Sequence, residues 1–239
     1  MTRLTTIAGA ALLSAAATIA TAAPVNNTGF VTSEIIMGDG IGNGGWTGVS
    51  NGLLELALRA KLRFNAAGEP EDTFNYDGDR TYSFSNQGNP ENRSVFNFEF
   101  SINTDVTDET DNPSQTLTDL TFALSIDRDP SAGTDFLTFD PLLYGGSFGF
   151  NSTPNGDGVN GSPTGFNVAQ NSQNLGFGYT GVADPDGPGT YTFRLSAFDG
   201  DTLLLATDID VEVAPVPLPA GLPLLALGLG ALGIARRRA

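Results

Sequence analysis

The sequence predicts an all-β protein: a single antiparallel β-sandwich, of jelly-roll or immunoglobulin-like type, with long Gly/Asn-rich loops. Three observations predict it. Several segments alternate apolar and polar residues with a period of two, the mark of a strand with one buried face. No convincing amphipathic helix interrupts them. A tight hairpin signal, Asp199-Gly200-Asp201, separates two of the alternating segments near the end of the fold.

The clearest strand is Leu54 to Phe64. Leu54, Leu56, Leu58, Ala60, Leu62 and Phe64 alternate with Glu55, Ala57, Arg59, Lys61 and Arg63. These residue types favour helix, but a helix would scatter the charges over its apolar face, so the periodicity decides for a strand with charge outward. Val95 to Ile102 follows, with Phe96, Phe98, Phe100 and Ile102 on one face. Leu120 to Ile126, Tyr191 to Phe198 and Thr207 to Val213 repeat the pattern, and Thr32 to Met37 and Arg80 to Ser85 are weaker candidates. One-sided alternation of this kind belongs to antiparallel sheets with one wet face, and two such sheets face to face bury the Phe and Leu rows. Between Gly145 and Thr190 the alternation stops. Twelve of these 46 residues are Gly and six are Asn, so the segment reads as long loops with one or two short edge strands.

The two ends of the chain are of a different kind. Met1 to Ala22 has one basic residue, Arg3, then an apolar stretch and an A-x-A boundary at Ala20-Thr21-Ala22. This is a signal peptide pattern, with cleavage between Ala22 and Ala23; the competing reading is an uncleaved N-terminal anchor. At the other end, Val216-Pro217-Leu218-Pro219-Ala220 opens a tail that stays uncharged to Ala235 and finishes with Arg236, Arg237 and Arg238. Leu218 to Ala235 is 18 residues, about 27 Å as a helix, just short of a hydrocarbon core of about 30 Å. The arginines stop on the cytoplasmic side, which places the body on the exported face. A plain anchor and a buried core hairpin are the alternatives. The chain therefore divides into a signal peptide at 1–22, an ectodomain at 23–214 and a tail at 215–239.

The tail resembles the PEP-CTERM class of bacterial sorting signals, in its VPLPA variant. The resemblance rests on the five motif residues, the short apolar run, and the basic terminus, about a tenth of the chain. It implies export through the secretion translocon, an inner-membrane-anchored precursor, recognition and cleavage near the motif by an exosortase-type membrane peptidase, and delivery to the cell envelope, cell surface or outside. It implies no activity.

Charge narrows the partners. The segment 23–214 carries all 27 acidic residues and only seven basic ones, a net charge of −20. Such a surface repels nucleic acid and anionic lipid and attracts cations. The chain has no Cys and no His, which excludes disulfide staples, imidazole bases and His-ligated zinc. Asp127, Asp129, Asp135 and Asp140 cluster in IDRDPSAGTDFLTFD, with further acidic turns at Asp157, Asp184 and Asp186. Calcium takes several hard oxygen ligands, and a D-x-D turn brings two carboxylates to one side. The Asp127 group is thus a candidate calcium site, although Asp and Gly also build β-turns without an ion and no EF-hand pattern is present. Trp46, the only tryptophan, lies in GNGGWTG and reads either as a sugar-stacking platform or as a ring covering the end of the sandwich. No phosphate loop and no H-E-x-x-H occurs. The expectation is a non-catalytic structural or interaction protein of the envelope or extracellular matrix. A calcium-assisted binder of extracellular polysaccharide is the alternative, and a glycoside hydrolase working with two carboxylates a remoter one.

Overall fold

The computed structural model describes residues 25–26, 37–38, 41–42, 44–78, 80–86, 92–185 and 187–215. The signal peptide with its Ala22/Ala23 boundary, most of Thr32 to Met37, Asp186, and the tail from Val216 through Arg236, Arg237 and Arg238 lie outside the described residues. No helix among the described residues is long and apolar enough to cross a membrane.

Among the described residues, thirteen strands form two sheets. The first contains β1 (Val25–Asn26), β2 (Thr47–Ser50), β3 (Glu55–Phe64), β7 (Phe96–Asn103), β11 (Val168–Asn174) and β10 (Ser147–Gly149) in that spatial order, with β4 (Pro70–Thr73) also pairing β3. The second runs β5 (Tyr76–Gly78), β6 (Thr81–Ser85), β13 (Thr202–Ala214), β12 (Gly189–Asp199), β8 (Thr121–Asp127) and β9 (Phe136–Phe139). Every pairing is antiparallel except β6 with β13, which is parallel. That one pair departs from the purely antiparallel expectation, because a long connection rather than a hairpin joins β6 to β13.

The alternating segments become strands where expected. Their apolar rows, including Leu56, Leu58, Phe98, Phe100, Phe193 and Leu195, merge into one core shared by both sheets. Rings meet across the sandwich: Phe98 of β7 stacks on Phe193 of β12 at 4.7 Å between centroids, and Phe96 packs edge-on to the same ring at 6.1 Å. A polar tie crosses the same gap, where the Tyr82 hydroxyl of β6 and Thr47 Oγ1 of β2 lie 2.8 Å apart. The Asp199-Gly200-Asp201 signal is the β12–β13 hairpin, with Asp199 paired to Thr202 and Gly200 at φ 55°, a conformation that Gly adopts at little cost.

Two expectations are corrected. The first concerns the outer face of the β3 sheet, which is not wet. Glu55, Arg59 and Lys61 are buried, as is Glu99 opposite Arg59 on β7. The segment around Gly42 to Trp46, with Asp72 and Phe74, covers this face. Arg59 Nε donates to Glu99 at 2.5 Å, and its two terminal nitrogens donate to the carbonyls of Gly44 and Gly42 at 2.8 and 2.5 Å. Its guanidinium lies between the rings of Trp46 and Phe74, 3.9 and 4.5 Å from their centroids. Lys61 Nζ completes the cluster, 3.1 Å from Glu99 and 2.5 Å from Asp72. Glycine is needed at Gly44, since a Cβ there would sit 2.5 Å from the Phe74 ring.

The second correction concerns residues 145–190. Val168–Asn174 is not an edge strand but a seven-residue strand held between β7 and β10. Its sequence, VAQNSQN, hides it because its polar side chains are buried against partners. Gln170 accepts from the Met37 amide at 2.8 Å and donates to Ser101 at 3.0 Å. Asn174 donates to Asn97 and to the carbonyls of Ser94 and Phe96, all at 2.9–3.0 Å.

Removing one member of a buried ion cluster leaves an uncompensated charge, at a cost of about 3–5 kcal/mol. Glu99→Gln is therefore expected to lower the melting temperature by on the order of 10 °C, using about 2–4 °C per kcal/mol for a domain of this size. The double variant Arg59→Met/Glu99→Met should be less destabilised than the sum of its single changes. Thermal unfolding of the parent, Glu99→Gln, the two single Met variants and the double variant checks this; additive losses would contradict it.

Candidate functional site

The predicted acidic group lies where β8 ends and β9 begins. Asp127 is buried and its Oδ1 accepts the backbone amides of Asp129 at 3.1 Å and Asp135 at 2.8 Å. Asp129 accepts from Ser131, and the Ser131 hydroxyl first and its backbone amide second hold the carboxyl below the usual carboxylate range. Asp135 pairs with Arg128 at 2.8 Å. These three carboxylates thus belong to one turn, whose oxygens already organise its backbone. Asp140 does separate work: it caps the short 3-10 turn Pro141–Leu143 by accepting from the Leu142 amide. No group of three or more acidic side chains poised to hold a metal ion occurs among the described residues. Asp157 and Asp184 are exposed in separate loops.

Trp46 is fully buried against Ala57 and Arg59, so it offers no face to a sugar. It covers the sheet's outer face rather than the end of the sandwich. Gly145-Gly146-Ser147-Phe148-Gly149 spells G-x-S-x-G, the lettering of a nucleophile elbow. Ser147, however, lies buried in β10, which pairs along β11 and leads to no helix, and the chain has no His to activate it.

Two features escape the sequence. The first is Glu55, on the outer face of β3 between Ser50 and Asn103. It is 3 % exposed and its Oε1 is buried without a hydrogen-bond partner. Burial pushes this carboxyl up from its ordinary value near 4.5 to about 8. The second is a strip of rings at the surface. Phe139 meets Tyr144 at 4.9 Å, Tyr144 stacks on Tyr179 at 4.5 Å, and Tyr179 meets Phe177 at 6.2 Å. Leu143, Tyr144 and Phe177 are exposed along it, Leu143 by 77 %. A contiguous apolar strip on an acidic protein is the kind of surface that meets a partner. Its members come from the end of β9, the β9–β10 connection and the turn after β11, so no single stretch of sequence announces it.

Comparison with known protein families, with characterised proteins and with solved structures finds no match for this chain.

The raised carboxyl makes stability depend on pH. Between about pH 4.5 and 8 the folded state keeps a proton on Glu55 that the unfolded chain releases, so stability falls as pH rises through that window. Glu55→Gln should remove that loss, on the order of 2–4 kcal/mol at pH 8. It should gain over the parent at pH 8 and not at pH 4.5, measured by denaturant unfolding. Parallel pH profiles for the two proteins would contradict the burial of a charged-state-averse carboxyl here.

Proposed function

We propose that this is an exported, non-catalytic structural or interaction protein, sorted by its tail to the cell envelope or extracellular matrix. One observation carries the reading: the order of Val216-Pro217-Leu218-Pro219-Ala220, an uncharged apolar run and Arg236, Arg237 and Arg238 at the end of the chain. The translocon and an exosortase-type peptidase are its processing partners. Residues 23–214 form its one β-sandwich ectodomain, of the jelly-roll or immunoglobulin-like kind. The exposed ring strip supports an interaction role, since it gives a partner an apolar surface on an otherwise acidic body.

Replacing Val216, Pro217 and Pro219 together with Ala should leave the precursor uncleaved in the inner membrane, read by fractionation and by mass spectrometry of the C-terminus. An unchanged mature terminus and location would contradict the reading.

A further inference from the structure

At the end of the first sheet's outer face, beyond the buried ion cluster, lies a cavity of about 160 Å³ lined by Arg63, Phe64, Arg93, Asn97, Asn174 and Phe177. It gathers two of the seven basic side chains of a body that carries a net charge of −20. Both guanidiniums are seated on rings: Arg63 lies 5.3 Å over Phe64, and Arg93 lies 5.4 Å over Phe177. Arg93 is fixed further by donating to the carbonyls of Gly176 at 2.7 Å and Asn92 at 3.2 Å. The floor is rigid, because Asn174 accepts from the amides of Ser94 and Gly176 while donating to Asn97. Phe177 belongs to both the cavity and the ring strip, where its ring lies 6.2 Å from that of Tyr179, which stacks on Tyr144.

We propose that this cavity and strip bind an acidic polysaccharide, with a uronate carboxylate between Arg63 and Arg93 and neighbouring sugar rings along Phe177 and Tyr144. Guanidiniums are the side chains best matched to a carboxylate, through charge-assisted and forked hydrogen bonds. Exposed ring faces suit the apolar faces of pyranoses. The cavity is smaller than the roughly 300–1,000 Å³ of sites that engulf a whole small molecule, which fits one anionic group of a polymer lying across the surface. The body's own acidity does not forbid this. At physiological salt the screening length is about 8 Å, so exposed carboxylates farther away than that are largely screened at the site. The site uses no calcium. The inference rests on the exported reading for why such a polymer is met.

The test is affinity electrophoresis of the full chain, in mild nonionic detergent, through gels containing polygalacturonate or neutral dextran. Polygalacturonate should retard the protein and dextran should not, with or without calcium. Arg63→Gln/Arg93→Gln should weaken retention about tenfold or more, the scale of losing charge-assisted hydrogen bonds. Because Arg93 also holds Gly176, the double variant is checked by its melting temperature. Arg63→Gln alone, expected to lose several-fold, decides the matter if the double variant does not fold. Galacturonate should displace the polymer at concentrations where sulfate does not. Retention unchanged in Arg63→Gln, equal retention by dextran, or equal displacement by sulfate overturns the proposal. Sorting of the tail variant is unaffected by any of these outcomes, so the two readings fall separately.

Discussion

The structure depends on a charge cluster buried outside its main core. Arg59, Lys61 and Glu99 sit on the outer face of the first sheet, and their partners come from the stretches on either side of β3 in the chain: the carbonyls of Gly42 and Gly44, the rings of Trp46 and Phe74, and the carboxylate of Asp72. Burying three charged groups is costly unless each is met in good geometry. That requirement fixes the path of the chain before β2, and of β4 with the residues just after it. The sandwich thus carries a third layer of chain over one of its sheets, held by polar contacts rather than by grease.

The same face explains the second half of the molecule. Rows of facing residues run across it: Arg59, Glu99 and Ser172; Ala57, Ser101 and Gln170; Lys61, Asn97 and Asn174. Once the covering layer excludes water, each buried amide must be satisfied by a neighbour. Gln170, Ser172 and Asn174 of Val168–Asn174 are stable on this face because the residues opposite them, Ser101, Glu99 and Asn97, are polar too. At the far end the cover stops, and the row runs into the cavity of Arg63 and Arg93. Structure and surface chemistry are therefore continuous along one sheet face.

The inner half of this fold was legible in the sequence, and the outer half was not. A period of two in Leu54 to Phe64 names a strand and names its core row, because the opposite sheet buries one face whatever else happens. It does not say what lies on the other face. Arg59 and Lys61 look like solvated charges until Glu99, forty residues later, is placed beside Arg59 by the β3–β7 pairing. Asp127, Asp129, Asp135 and Asp140 read as one cluster in the sequence, but the first three make the hydrogen bonds and ion pair of a single turn, and Asp140 caps a separate 3-10 turn. The ring strip was invisible for a different reason: Phe139, Tyr144, Phe177 and Tyr179 are brought together only when β9, β10 and β11 take their places in two different sheets.

The buried outer face can be tested through the only tryptophan in the chain. Trp46 is sealed under the cover, against Arg59. Its fluorescence in the full-length protein should be blue-shifted and almost inaccessible to acrylamide, shifting red only in the unfolding transition. Emission at the solvent-exposed wavelength with efficient quenching in the native state would contradict the account.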